Sequence, residues 1–273
     1  MPPSALVLTL AAAALHAGWN VLLAGRRDVR AATTVALVLS VLAFAPVAAA
    51  TWRVETAAAP WIAASAALEL AYFFLLTAAY RASDVSLVYP IARGIAPVLV
   101  LVGGSLVGAT LGVWQALGVV LVGAGVLVVR GIRGRTDTPG VVLALSISAT
   151  IAGYTLVDKQ GIEHASPIAY LELVLLPVAL AAVVLQAATG RLATVRAEVG
   201  VATTAAALAS FAAYALVLGA LALAPAAAVA AVRESSILFA VVLGALVLRE
   251  PVGTARIGGA TLVVLGVVLV AGT

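Results

Sequence analysis

Five ionisable side chains fall inside long apolar runs of the sequence: Glu69, Arg93, Glu172, Arg233 and Glu234. A charge near the centre of a bilayer costs at least about 2.5–3.5 kcal/mol on insertion scales, so these residues are functional candidates. A guanidinium group can grip a carboxylate or a phosphate with two parallel hydrogen bonds. Arg93 and Arg233 therefore predict either an anion-binding site or ion pairs with Glu234 or Glu69 that only hold helices together.

Glu69 is also a candidate for proton exchange. It lies midway along its apolar run, and Tyr72 and Phe73 lie on the same predicted helical face. A carboxyl group inside a membrane can take up and release a proton as access to it alternates. Glu69 is therefore predicted as a proton-coupling residue, and Glu234 as a second one. Glu172 lies only six residues into its run, which favours a side chain that snorkels toward the interface.

Another set of residues recurs at steps of three and four along a single run: Ser86, Tyr89, Pro90, Arg93 and Pro97. This spacing places them on one face of a helix. Each proline removes a backbone donor, which can kink the helix and free carbonyl groups of the preceding turn. A face that is both polar and kinked predicts the wall of a cavity, with Tyr89 as an aromatic wall and Ser86 as a hydrogen-bonding group.

His16 and Asn20 lie four residues apart at the end of the first apolar run, beside Trp19. Residues at this spacing share a helical face, which predicts that they border a central pathway with His16 as a proton acceptor. The alternative is an interfacial anchor for Trp19 and a purely structural role for His16.

The same kind of stripe recurs in the second half of the sequence as Thr150, Tyr154 and Asp158. Tyr154 is predicted as an aromatic wall of the pathway, together with Tyr72. Asp158 is followed directly by Lys159, and an adjacent pair of opposite charges at the end of an apolar run predicts a solvated helix end.

Composition identifies the kind of chain that must hold these residues. Of its 273 residues, 64% are hydrophobic and 10% charged, and the mean hydropathy is +1.22. These values exclude an ordinary soluble chain and predict an all-α membrane protein. Ten apolar runs are long enough to span a bilayer. They are Ser4–Leu23, which is expected to be retained as a span, Ala31–Ala50, Pro60–Tyr80, Val85–Val107, Gly112–Val129, Pro139–Val157, Ser166–Ala188, Val199–Leu221, Pro225–Leu248 and Arg256–Ala271.

Several kinds of partner are excluded by the same composition. The net charge of +4 comes from arginines in short connections, which indicates membrane orientation rather than nucleic-acid binding. There are no cysteines and two histidines, so neither a disulfide framework nor a Cys/His metal site is predicted, and no cofactor is expected.

Gly104 and Gly108 have the GxxxG spacing of a helix contact, which also arises by chance in a sequence so rich in glycine.

The two halves of the sequence are alike. Sliding one half along the other sets Ala17-Gly18-Trp19 against Ala152-Gly153-Tyr154, and a nearly equal displacement sets Gly118 and Gly125 against Gly259 and Gly266. This predicts two repeats of five spans each, residues 1–135 and 136–273. Because five is odd, the second repeat must enter the membrane in the opposite sense, which is the inverted-repeat plan of many secondary transporters.

Orientation follows from the basic residues of the predicted connections. Connections after odd-numbered spans hold 11 Lys or Arg residues, and those after even-numbered spans hold 2. The positive-inside rule then places both termini outside the cytoplasm.

Three stretches resemble one family of membrane proteins. They are HAGWN from His16 to Asn20, YRASDVSLVYPIARGIAPVLV from Tyr80 to Val100, and the run that begins RESSILFAVVLGALVLREP at Arg233. Together with the duplicated plan, they resemble the EamA-like transporters of the drug/metabolite transporter superfamily. The resemblance implies two EamA repeats and transport of small metabolites. Members of this family are often described with cytoplasmic termini, so the orientation stays open between the two assignments.

The sequence therefore predicts a secondary transporter of the cytoplasmic membrane, an exporter of small anionic or zwitterionic metabolites that works by alternating access. Coupling to protons is expected through the carboxylates named above. The alternative is an integral membrane enzyme that acts on a lipid or prenyl substrate, although no GxSxG, HExxH, Walker or GxGxxG motif is present, and no catalytic residue is predicted. The predicted substrate-binding residues are Arg93, Arg233, Tyr89, Trp19, Asn20, His16, Tyr154, Tyr72 and Ser86.

Overall fold

The computed structural model describes residues 1–82, 85–109, 111–130, 138–247 and 253–272, with the side chains at 80, 81, 85, 86, 130 and 243–247 outside this description. These residues form α-helices joined by short connections, and no β-strand occurs among them. The helices are α1 (Pro3–Ala24), α2 (Val29–Ala50), α3 (Ala59–Ala82), α4 (Val85–Leu106), α5 (Val113–Arg130), α6 (Thr138–Gly161), α7 (Pro167–Ala188), α8 (Leu192–Ala197), α9 (Val201–Leu223), α10 (Ala226–Arg233), α11 (Ser236–Val247) and α12 (Thr254–Gly272).

Eight stretches of the described chain are long and apolar enough to cross a membrane, lying in α1–α4, α6, α7, α9 and α12. This confirms a multi-pass, all-helical membrane protein. The fifth predicted span is α5, whose apolar part Val113–Val129 is short for a bilayer. The helix α8 has only six residues and follows the connection after α7.

The prediction of a continuous ninth span at Pro225–Leu248 is wrong. Two shorter helices occupy this stretch, because α10 ends at Arg233 and α11 begins at Ser236. At the break, the amides of Glu234 and Ser235 bond to carbonyls only three residues back, at 3.1 and 3.0 Å. Consecutive polar residues cannot share one face of a regular helix, and the break lets all of them lie inside the protein.

Contacts between connections define two opposite ends of the bundle. Asp28 and Arg191 form an ion pair that joins the connections after α1 and after α7. We call this end the arginine-rich face. At the other end, His164 Nδ1 lies 3.3 Å from Glu55 Oε2, and the Met1 amine donates to the Ala271 carbonyl at 3.3 Å. We call this end the termini face.

Glycines let α5 and α12 pack at backbone distance. A methyl group on Gly118 would lie 2.7 Å from the Gly266 carbonyl oxygen, and one on Gly125 would lie 2.7 Å from that of Gly259. These are the four glycines that the alignment of the two halves relates, and the alignment exchanges the two contacts. We call this contact the glycine seam.

Gly104 and Gly108 end a helix rather than form a packing motif. The amide of Ala109 bonds to the Gly104 carbonyl at 2.9 Å, and that of Gly108 bonds to the Ser105 carbonyl at 3.2 Å. Gly108 has φ +85°, the left-handed conformation that this type of helix end requires. The GxxxG spacing therefore reflects the end of α4.

The core lies around α10. Every residue of this helix is buried, and all of them are alanine or valine except the last, Arg233. It packs against α1, α4, α5, α6, α9 and α12. Arg233 and the break that follows it therefore lie inside the bundle.

Candidate functional site

Five charged side chains are buried within the described membrane-spanning helices and the break between α10 and α11. Their exposed fractions are 8% for Glu69, 8% for Arg93, 1% for Asp158, 7% for Arg233 and 2% for Glu234. A buried charge must be paired or hydrogen-bonded to persist in an apolar interior. The structure arranges these groups as two neighbouring networks.

Glu234 lies between the two arginines. Its Oε2 is 3.2 Å from Arg93 Nε, and its Oε1 is 3.9 Å from Arg233 Nε. We call these three residues the arginine cluster. The structure thus brings together the two arginines and one of the two carboxylates that the sequence offered as their partner.

Helix packing fixes the position of Arg93. The Ser148 hydroxyl of α6 donates to the Ala92 carbonyl at 3.1 Å. On the other side, a methyl group on Gly94 would lie 3.0 Å from the Gly123 carbonyl oxygen of α5. The α4 backbone is therefore held on both flanks of Arg93.

His16 extends the arginine cluster to α1. Its Nε2 lies 3.3 Å from Arg93 Nη2, and because a guanidinium can only donate, Nε2 accepts this hydrogen bond. The rings of Trp19 and His16 lie nearly perpendicular to each other, with centroids 5.0 Å apart. The Asn20 amide donates to the His16 carbonyl at 2.6 Å, so this hydrogen bond stays within α1.

The second network centres on Asp158. Its Oδ1 accepts hydrogen bonds from Ser65 Oγ at 2.5 Å and from the Tyr170 hydroxyl at 3.0 Å, and its Oδ2 accepts one from the Tyr214 hydroxyl at 2.6 Å. Tyr214 is also 3.0 Å from Glu69 Oε1. The prediction that Asp158 ends a solvated helix is wrong, because α6 continues to Gly161 and keeps this carboxylate inside the bundle.

Tyrosines connect the two networks. The ring of Tyr154 lies 6.3 Å from that of Tyr72 and 6.1 Å from that of Tyr214. Tyr72, Tyr89 and Tyr154 are all close enough to Arg93 to interact with it electrostatically. The rings of Tyr72, Tyr154 and Tyr214 thus form a continuous aromatic region between α3, α6 and α9.

Two further predicted residues are Ser86 and Glu172. The side chain of Ser86 lies outside the described residues. Glu172 is half-buried in α7, and in the described part of the chain its Oε2 has no hydrogen-bond partner.

Sequence reasoning missed Asp158, Ser65, Tyr170 and Tyr214 as members of the site. Asp158 shared a helical stripe with Tyr154, which was a usable signal, but the adjacent Lys159 masked it. The Lys159 ammonium in fact donates to the Leu221 carbonyl at 2.6 Å, at the end of α9. Tyr214 had no signal beyond a hydroxyl group in an alanine-rich span.

One groove lies away from both networks. It has a volume of about 510 Å³ and opens on the outer surface between α3 and α7, with Ile62, Leu173 and Pro177 among its lining residues. A groove on the apolar outside of a membrane protein is expected to hold lipid chains. We therefore place the candidate site at the buried networks.

Comparisons with known proteins agree with this architecture. The model of the EamA-like transporter family matches residues 138–272, which is nearly all of the second predicted repeat. A chain from a crystal structure described only as a protein superimposes with a TM-score of 0.78 at 15% identity, covering 98% of this chain and 96% of that chain. This likeness shows a shared fold. No curated protein matches the chain.

Proposed function

Because the chain belongs to the EamA-like transporter family, we propose that it is a secondary transporter that exports small anionic or zwitterionic metabolites across the cytoplasmic membrane. The observation that carries this proposal is the arginine cluster at the break between α10 and α11. In the described part of the chain, Arg233 Nε, Glu234 Oε1 and Ser235 Oγ are buried without a hydrogen-bond partner. Buried polar atoms of this kind are rare, and a polar substrate supplies the partners that they need.

Depth supports a substrate site here. Arg93 and Arg233 are each about eight residues from the start of their helices, or about 12 Å along the axis at 1.5 Å per residue. Their helices enter from opposite ends of the bundle, since α4 begins at the arginine-rich face and α10 at the termini face. Both guanidinium groups therefore lie near the middle of a hydrocarbon core of about 30 Å. Sites at this depth beside a discontinuous helix are typical of secondary transporters.

The charges of the arginine cluster favour a substrate with an anionic group. Among the described residues, Glu234 is the carboxylate that lies between two guanidinium groups, and neither of its ion pairs is a two-bond contact. An anionic group can therefore take Glu234's place at one arginine and form the bidentate contact. A zwitterion adds a positive group that faces the displaced carboxylate.

Alternating access is supported by a relation between the two ends of the bundle. A displacement of 136 positions, one more than the 135 that sets Ala17 against Ala152, takes Asp28 to His164 and Glu55 to Arg191. The pair at the arginine-rich face thus corresponds to the pair at the termini face, with acid and base exchanged. Two inverted repeats, residues 1–135 and 136–273, would produce both this correspondence and the exchanged contacts of the glycine seam. In the proposed cycle, one of these ion pairs opens while the other stays closed.

The experiment is thermal stability of the detergent-purified protein against amino acids, organic acids, phosphonates, amines and lipophilic cations. A ligand that binds only the folded state raises the melting temperature. Anionic or zwitterionic compounds are expected to stabilise the wild type, and the effect should vanish in Arg93→Gln and Arg233→Gln.

Arg27→Gln is the matched control, because Arg27 is exposed at the arginine-rich face. It should keep the wild-type response, and each variant must elute as a single folded species. Stabilisation by lipophilic cations alone, or an equal response in Arg93→Gln, would contradict the proposed site. Compounds that bind are then tested for export from loaded liposomes.

A further inference from the structure

Glu69 and Asp158 meet at a single hydroxyl group. Glu69 comes from α3, Asp158 from α6 and Tyr214 from α9. The Tyr214 oxygen is 3.0 Å from Glu69 Oε1 and 2.6 Å from Asp158 Oδ2. We call these two carboxyl groups and the hydroxyl between them the carboxyl pair.

Counting protons constrains the charge of the carboxyl pair. A tyrosine hydroxyl has one proton and can donate it to one carboxylate, while an ionised carboxylate only accepts. If both carboxyl groups were ionised, one of the two contacts would join two buried acceptors. Both contacts are hydrogen bonds when one carboxyl group carries a proton and donates a hydrogen bond to the Tyr214 oxygen. The geometry therefore requires one proton more than the tyrosine provides.

The count of buried charges independently indicates one extra proton. Among the described membrane-spanning residues, the buried charged side chains are two arginines and three carboxylates. One bound proton makes this set neutral, and a buried set with an uncompensated charge is costly. Glu234 forms ion pairs with the two arginines, whereas Glu69 and Asp158 share the Tyr214 hydroxyl. The proton therefore belongs to Glu69 or Asp158.

We propose that Glu69 and Asp158 share one proton across Tyr214 and together form the proton-binding site of this protein. The assignment of the proton rests on this geometry and on the count of buried charges, and its role in coupling rests on the proposed transport function. Asp158 is the residue added here, and it replaces Glu234 as the partner of Glu69 in proton coupling.

Groups from several helices face the carboxyl pair. Ser65 and Tyr170 donate to Asp158, the ring of Tyr154 lies tilted beside that of Tyr214, and Arg233 at the end of α10 interacts electrostatically with both carboxyl groups. Beyond them, Arg93 of α4 interacts with the ring of Tyr154. The Lys159 ammonium is occupied by the Leu221 carbonyl. Arg233 is thus the cation that acts on both the carboxyl pair and the arginine cluster.

This shared arginine sets the sign of coupling. An anionic substrate group at Arg233 offsets the positive charge that favours ionised carboxylates, so it favours uptake of a second proton. A positive substrate group near the carboxyl pair has the opposite effect and favours release of the shared proton. Proton binding and substrate binding are therefore linked through one side chain.

Infrared spectroscopy of the purified protein tests the proposal without a substrate. A protonated carboxyl group has a C=O stretching band that an ionised one lacks, and it shifts in heavy water. The wild type is expected to show this band at neutral pH. The band should be lost in Glu69→Gln and equally in Asp158→Asn, because the remaining carboxyl group then ionises and accepts the hydrogen bond of the Tyr214 hydroxyl.

Asp158→Asn is the decisive variant. A band that survives in it would show that the proton sits on Glu69 independently of Asp158, which overturns the shared site. Glu172→Gln is the control and should keep the band, since Glu172 lies on α7 outside the carboxyl pair. Tyr214→Phe keeps both carboxyl groups, so it tests the proposal even if Asp158→Asn fails to fold. It should shift the band, and an unmoved band would contradict the bridging hydroxyl.

These outcomes separate the proton site from transport. An intact pattern of bands in a protein that moves no substrate would overturn the proposed function and leave the shared proton. Active transport with a band that survives in Asp158→Asn would overturn the shared proton and leave the proposed function.

Discussion

Gly259→Ala and Gly258→Ala are neighbouring substitutions with opposite expected effects on stability. A methyl group on Gly259 would lie 2.5 Å from the Val129 amide nitrogen, 2.7 Å from Val129 Cγ2 and 2.8 Å from the Gly125 carbonyl oxygen. Two of these three atoms belong to the backbone of α5, so no rotamer change can relieve the overlap. One on Gly258 would meet nothing within 4 Å.

The magnitude follows from these distances. Non-bonded carbon atoms prefer separations of about 3.5–4.0 Å, so α5 and α12 would have to separate by about 1 Å along the glycine seam. Overpacking of this kind costs about 1–3 kcal/mol. Gly258→Ala removes only the flexibility of glycine, which is worth a gain of about 0.5–1 kcal/mol in a helix interior.

The assay is reversible unfolding of each purified variant in mixed micelles with increasing denaturing detergent, followed by loss of helical circular dichroism. Gly259→Ala should unfold at lower detergent than the wild type and Gly258→Ala should not. Gly118→Ala, at the related position, should lose about as much as Gly259→Ala. Equal stability of Gly258→Ala and Gly259→Ala would refute the close approach of the two helices.

Two further predictions concern the arginine-rich face. The hydrogen bond that Arg26 donates to Glu198 at 2.8 Å holds the pKa of Glu198 below its ordinary value. Glu198 therefore stabilises the fold above its unfolded pKa of about 4.3 and loses this effect as the pH falls through the lower folded value. Melting temperatures of the wild type and Glu198→Gln should differ near neutral pH and converge in acid, and a constant difference would contradict this assignment. Ser235→Cys places a single thiol in a chain without cysteines, at a position that is 2% exposed. It should react with a maleimide faster when combined with Arg191→Gln, since this change breaks the Asp28–Arg191 pair, and an unchanged rate would show that the pair does not keep this face closed.

The sequence alone was sufficient for the parts of the fold that depend on local hydrophobicity. Apolar runs of about 20 residues become spanning helices almost wherever they occur, because a backbone in lipid must satisfy its own hydrogen bonds. Arg93, Arg233 and Glu234 stood out for the same reason, since charges in such runs are rare.

The break after Arg233 and the burial of Asp158 could not be predicted this way. Whether a polar residue ends a helix, breaks it or continues it depends on the partners that the other helices bring. In the sequence, Asp158 next to Lys159 indicates a solvated pair. In the structure, Ser65, Tyr170 and Tyr214 of three other helices donate hydrogen bonds to Asp158. These contacts join residues that are 93, 12 and 56 positions apart in the sequence.

The composition of α10 affects how this protein can move. Most of its residues are alanine, and all of them are surrounded by other helices. Alanine has no side-chain rotamers, so an alanine-rich helix has shallow surface ridges and no alternative side-chain conformations. A shift of α10 against its neighbours therefore needs no side-chain rearrangement along most of its length, unlike a helix of leucine and phenylalanine. The helix that carries Arg233 can therefore shift against closely packed neighbours, and the contacts that oppose its motion are concentrated at its charged end.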